Sequence, residues 1–195
     1  MDKIDMVIEN KIMAIIPVYV ENKGNSTKVI TAGADITLIY KSIKTVLKII
    51  ANYFMTDMRV GKKYYGNLIG ATNVVPVVFN NHNIFVPLKT RKPISKNDGS
   101  FGYFNLDYIE RVEKKNGEIY IILKNDIKVK TILKLKSVKK HIREGKIIKN
   151  VCTSSPDSLS YSREGFYCDF NAPATKGDIA ILRNEILSLQ REYQK

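Results

Sequence analysis

Between Tyr108 and Ile132 three short runs of alternating apolar and polar residues are separated by two turn signals, Asn116-Gly117 and Asn125-Asp126. Asn-Gly suits the tightest hairpin, whose two central residues both need positive φ. Tyr108 to Glu113, Glu118 to Lys124 and Ile127 to Ile132 are therefore predicted to form a three-stranded antiparallel meander. Such a sheet has an apolar face to cover, and the next segment, KLKSVKKHIREGKIIKN (134–150), can help cover it. With Ser137 as its cap, a helix here places Leu135, Val138 and Ile142 in one arc, to pack on the meander. Lys136, Lys139, Lys140, Arg143 and Lys146 fall in the adjoining arc. Gly145 is expected to end or bend this helix.

The same reading places elements upstream. Lys11 to Val20 and Lys28 to Thr31 are strands around a turn at Asn22 to Asn25. Ser42 caps a helix in which Ile43, Val46, Leu47, Ile50, Ala51 and Phe54 recur at helical spacing, with Lys41, Lys44 and Lys48 on the other side. Gly61, Gly66 and Gly70 break the pattern. Val74 to Leu88 makes two short strands around a polar turn, and Pro76 and Pro87 push them toward a sheet edge. KTRKPISKNDGS (89–100) follows as a flexible loop. The expected fold is α+β: a mixed, sheet-rich single domain over residues 1–150, with the meander, one or two packed helices and a C-terminal helix. Residues 151–177 are a Ser-rich linker. Residues 178–195 are the C-terminal helix, where Ile179, Leu182, Ile186, Leu189 and Tyr193 follow the 3, 4, 3, 4 rhythm of a coiled-coil seam. Two heptads serve either oligomerisation or packing on the chain's own domain.

Charge narrows the function. The 195 residues hold 32 Lys and Arg against 19 Asp and Glu, a net charge of +13, at an apolar content of 44% that fits a folded protein. The first 40 residues are nearly balanced and residues 150–195 are slightly acidic. The excess lies in residues 41–63, with 6 cations against Asp57, in 89–96, with 4 against none, and in 111–149, with 13 against 4. A codon bias toward lysine would raise it everywhere, yet the last 46 residues hold only Lys176 and Lys195. A clustered excess of this size favours a polyanion as partner. The longest apolar run, Ile12 to Val20, is far shorter than a membrane span and contains Pro17. Asp2, Asp5 and Glu9 precede it, where a secretory leader would be basic. The expected location is the cytoplasm, with Cys152 and Cys168 as free thiols.

No catalytic constellation is legible, and an enzyme, a cofactor or a metal is not expected. Gly61 to Gly66 has the glycine spacing of a phosphate loop, but Asn67-Leu68 stands where Lys and Ser or Thr are required. His82 and His141 lack metal-ligand spacing with the cysteines, and His141 is expected to sit beside the helix's apolar stripe. What remains is cationic surface. Lys136, Lys139, Lys140, Arg143 and Lys146 are candidates for phosphate contacts. Lys89, Arg91, Lys92 and Lys96 form a candidate arm, with Arg91 entering the narrow minor groove of A·T-rich DNA. The ordinary alternative is a solvated helix face. The candidate site requires both basic segments to converge on one surface.

Residues 60–123 resemble the ComK family of competence transcription factors. The shared elements are Gly66 and Gly70, the strands Val75-Pro76-Val77-Val78 and Asn83-Ile84-Phe85-Val86-Pro87, a polar loop, the aromatic pair around Gly102 and the Asn-Gly hairpin. Phe101-Gly102-Tyr103 replaces that family's Cys-Gly-Trp, and Val86 its Phe. The resemblance implies a DNA-binding activator of transcription on paired A·T-rich boxes of double-stranded DNA. It also implies a dimer or higher homo-oligomer, and control by a proteolytic adaptor, with Arg163-Glu-Gly-Phe166 as a counterpart of the gripped segment. The tract from Phe104 to Asp126 is similar to LytTR-type DNA-binding domains, which imply the same function on another fold. Two other readings stand beside these: a small basic RNA-directed enzyme of the toxin-like ribonuclease kind, and a mobile-element interaction protein with an acidic partner.

Overall fold

A computed structural model describes residues 7–33, 35–96 and 98–154, all within one compact unit. The order is β1 (Ile12–Val20), β2 (Gly24–Thr31), β3 (Ile36–Ile39), α1 (Ile43–Tyr53), α2 (Met58–Ile69), β4 (Val77–Asn80), β5 (Asn83–Lys89), β6 (Phe101–Asn105), a 3-10 turn (Leu106–Tyr108), β7 (Ile109–Lys115), β8 (Glu118–Leu123), β9 (Lys128–Thr131) and α3 (Leu135–Ser154). Among the described residues nine strands form two antiparallel sheets, a six-stranded one ordered β3-β2-β1-β6-β5-β4 and the meander β7-β8-β9. The expected α+β class is correct. The C-terminal helix, with Ile179, Leu182, Ile186 and Leu189, lies outside the described residues.

The large sheet is the middle layer, and the alternation of its strands fills both faces. On one face Ile15, Val29, Phe79 and Phe85 pack on Ile43, Val46, Leu47 and Ile50 of α1. On the other, Ile16, Ile30, Val86, Leu88 and Phe104 pack on Ile119, Ile121, Leu123 and Val129 of the meander and on Val138 of α3. At the meander's first turn Asn116 has φ 51° and Gly117 φ 78°, as the tight hairpin requires.

Several expectations give way. Gly61 and Gly66 do not break the chain: both lie inside α2, which Asp57 caps by accepting from the Arg59 and Val60 amides and which Gly70 ends at φ 64°. A Cβ on Gly66 would stand 2.5 Å from the Ala71 carbonyl oxygen, so that glycine serves close packing. Pro87 lies in an interior strand, not at an edge. The β4–β5 ladder stops at Val77↔Phe85, two residues before it, so a proline without an N–H is accommodated. Pro17 in β1 likewise lies beyond the β1–β6 pairs, which end at Ile15↔Tyr103. Ile36–Ile39 and Phe101–Asn105, unassigned from sequence, are strands. Residues 151–154, placed in the linker, continue α3.

Candidate nucleic-acid interface

α3 starts where the two sheets are joined. The Lys89 carbonyl at the end of β5 accepts from the Ile132 amide (2.9 Å) and the Thr131 hydroxyl (2.7 Å). The Lys134 carbonyl then receives the Ser137 and Val138 amides, so Ser137 lies in the first turn and is not the cap. Gly145 neither ends nor bends the helix. It lets α3 approach β5, because a Cβ there would stand 2.7 Å from Val86 Cγ2. Val138, Glu144, Gly145 and Ile148 are buried, and Lys136, Lys139, Lys140, Arg143 and Lys146 are all exposed.

Those five cations differ in their partners. Lys140 lies 3.6 Å from Glu144, a buried carboxylate that also meets His141 Nδ1 at 2.9 Å, so His141 does sit inward of the charged face. Lys149 turns away to pair with Asp107. Lys136, Lys139, Arg143 and Lys146 have no carboxylate partner among the described residues. From Lys136 to Lys146 the rise is about 15 Å.

Elsewhere in the basic tract the charges cancel in part. On the meander Arg111 bonds Glu110 and Glu113, each at 2.8 Å, Lys128 stands 3.9 Å from Glu113, and Lys130 pairs with Glu118. The hydrogen bond from Arg111 holds the Glu113 carboxyl below its usual range, and the one from Lys130 does the same for Glu118. Lys114, Lys115, Lys124 and Lys134 have no carboxylate partner among the described residues, so the excess of residues 111–149 is shared between the meander and α3 and is densest on α3.

The arm behaves differently. Arg91 donates from Nε to the Gly99 carbonyl (2.8 Å) and from Nη2 to Asn25 Oδ1 (2.5 Å), and its guanidinium stacks 3.9 Å from the centre of the Tyr19 ring. Tyr19 donates its hydroxyl proton to Asp98 (2.6 Å) and accepts from the Ile94 amide, while Asn25 also donates to Asp98. Asp98 is held below the ordinary carboxylate range, chiefly by the Tyr19 hydrogen bond, then by the Ser95 amide. The expected flexible arm is thus a loop tied to the β1–β2 hairpin, and Arg91 is one of its anchors rather than a reader of a groove. Of its four cations Lys92 and Lys96 are exposed, and Lys89 and Arg91 are half-buried.

The two basic segments do not converge. Strand alternation puts Phe85 on the α1 face and Val86 and Leu88 on the α3 face, so Lys89 projects with Phe85, while Arg91, beyond the end of β5, stacks on Tyr19, which shares the face of Ile15 in β1. Gly99, which accepts from Arg91, packs against Ile43 at the start of α1. The loop therefore sits on the α1 side and the cations of α3 on the opposite side of the large sheet, and the single composite site expected from sequence separates into two surfaces.

No family model, curated protein or solved structure matches the chain. Among the described residues no group of three or more His, Cys, Asp and Glu could hold a metal ion, and no helix is long and apolar enough to cross a membrane.

Proposed function

We propose that this protein binds duplex DNA through the exposed face of α3 and regulates transcription. The carrying observation is the set Lys136, Lys139, Arg143 and Lys146, left without carboxylate partners among the described residues on a helix that Gly145 lets sit close against β5. About 15 Å of helix matches two or three phosphates spaced some 7 Å apart along one strand, so the face suits a polynucleotide backbone better than a single small anion. The charges also sit where the fold does not want them. The first turn of α3 has no acid, and lysines near a helix N-terminus oppose its dipole, by some tenths of a kcal/mol each. A polyanion converts that cost into affinity. The regulatory role is supported by the resemblance of residues 60–123 to ComK-type activators. Phosphate contacts carry no sequence information, so they account for affinity and not for A·T preference.

The test is fluorescence anisotropy with A·T-rich and G·C-rich duplexes at two salt concentrations, with RNA as competitor. Each of Lys139→Gln, Arg143→Gln and Lys146→Gln should weaken both duplexes alike and lower the salt slope by about 0.9. Lys92→Gln, on the other surface, should change neither. Unaltered binding by the triple α3 variant would remove the reading, and turnover of the RNA would replace it with the ribonuclease.

A further inference from the structure

On the face of the large sheet that α1 covers, α1 and α2 diverge beside β4 and leave a cleft of about 280 Å³, while Tyr65 farther along α2 reaches Cys152 of α3 at 3.5 Å. Its walls are mainly apolar: Leu47 from α1, Met58 from α2, and Val75, Val77 and Val78 from the chain entering and forming β4. Three kinds of polar group interrupt them. Lys44 on α1 and Lys62 on α2 stand at the two rims, both exposed and neither with a carboxylate partner among the described residues. Asn73 adds an amide. Tyr103, from the interior strand β6, is packed against the core beneath and reaches the cleft from the sheet. Tyr103 is half-buried, and its hydroxyl, not sealed from solvent, has no hydrogen-bond partner among the described residues. Burial also raises the Tyr103 phenol above its ordinary value, which keeps it a neutral donor.

Among the described residues no Asp or Glu lines the cleft, so Lys44 and Lys62 bring two positive charges to it with no carboxylate opposite. An apolar body fills such walls, and a single negative head can meet the ammonium groups and take the phenolic proton as a hydrogen bond. A phosphate group is the poorer fit, because the lining holds no Arg fork and the space is mostly apolar. The volume lies at the low end for ligand sites, which limits the occupant to roughly a dozen non-hydrogen atoms. Gly61 of α2 lines the cleft too. A Cβ there would meet only the Tyr65 ring at 3.9 Å, so core packing does not demand the glycine.

We infer that this cleft is a binding site for a small apolar carboxylate, aromatic or branched aliphatic, held between Lys44, Lys62 and Tyr103. No residue of α3 lines the site, and its test needs no nucleic acid. The probes are 4-(trifluoromethyl)phenylacetate and its uncharged amide, each titrated into the full chain and followed by fluorine NMR. The carboxylate should bind saturably, with a Kd of about 0.1–1 mM for a ligand of this size, and the amide at least about tenfold more weakly. Tyr103→Phe keeps the ring in the core and removes only the hydroxyl, and should weaken the carboxylate about tenfold. Lys44→Gln with Lys62→Gln should bring carboxylate and amide to similar affinity. Thermal melts show whether each variant is folded. Equal binding of acid and amide to the unaltered protein, an unchanged Kd in folded Tyr103→Phe, or no saturable signal from the acid by about 10 mM would each overturn the assignment.

Discussion

The seat of α3 on β5 can be tested at one atom. Adding a methyl at Gly145 puts Cβ 2.7 Å from Val86 Cγ2, with Leu106 Cδ1 at 3.6 Å. Carbon atoms in good contact stand about 3.5–4.0 Å apart, so the first distance is about 1 Å too short. Val86 is fully buried and β-branched, so it has no cheap rotamer to escape into. Two effects compete. Alanine improves the helix interior by about 1 kcal/mol over glycine, while overpacking a core costs about 1–3 kcal/mol. Overpacking wins, and Gly145→Ala should destabilise the protein by about 1 kcal/mol. In a Val86→Ala background the obstructing methyl is gone and the new one fills part of the cavity. There the same change should stabilise by about 1 kcal/mol, a coupling of about 2 kcal/mol across the cycle. Urea unfolding followed by circular dichroism measures all four proteins, with a constant m-value as the control for the unfolded state. Stabilisation by Gly145→Ala in the parent background, or the same effect in both backgrounds, would refute the packing argument and with it the fixed position of the α3 cations.

Other consequences concern the loop and the charges. Arg91→Ala should cost about 1–3 kcal/mol of stability, from two lost hydrogen bonds and a lost stacking contact, and leave the preference between A·T-rich and G·C-rich duplexes unchanged. Arg91→Lys keeps the charge but not the planar fork and should lose most of the same stability, whereas a groove-reading arginine would reveal itself in the sequence preference. Asp98 has a folded-state pKa below its unfolded value, so the unfolded chain binds the proton more readily and stability rises with pH across the interval between the two. The contribution is complete above about pH 4, the ordinary aspartate range, and is lost as pH falls through the depressed value. NMR titration of the Asp98 carboxyl should show a midpoint below the ordinary aspartate range that moves up in Tyr19→Phe.

What could be read from sequence was local. The meander was legible because Asn116-Gly117 fixes a turn type through backbone sterics alone, and α1 because Ser42 caps an unbroken apolar stripe; its hydroxyl does accept from the Thr45 amide. The α2 helix was missed because glycine was read only as a breaker, although Asp57 as cap and Gly70 as a left-handed terminus bracket the helix and were available signals. Gly66 and Gly145 are set by atoms that approach them in three dimensions, the Ala71 carbonyl and Val86. Nothing near Arg91 in the chain announces Asn25, 66 residues away, or Tyr19, 72 residues away. The cleft beside Tyr103 draws residues from two helices and two strands and has no linear signature.

The distribution of partners, rather than the number of cations, separates a functional surface from a solvated one. Arg111, Lys128 and Lys130 each face a carboxylate across the meander, and Lys149 and Lys140 each meet one at α3, so these residues are already neutralised within the fold. The exposed pairs of the meander add little stability, about 0–1 kcal/mol each, but like the pairs of Lys140 with the buried Glu144 and of Lys149 with Asp107 they remove the local field that would attract a polyanion. Lys136, Lys139, Arg143 and Lys146 occupy successive turns of the same face with no such partner among the described residues. Their mutual repulsion is screened beyond about 8–10 Å at physiological salt, yet neighbours one turn apart lie inside that distance. Adding acids to the first turn of α3 would therefore stabilise the isolated fold through both the dipole and the relief of repulsion. The same change would weaken a polynucleotide complex, and Ser137→Glu, at an intermediate position in that turn, sets the two effects against each other in one protein. A rise in melting temperature together with a loss of duplex affinity is the result expected of a surface shaped for phosphate. A rise in both would mean that duplex DNA does not bind at this face.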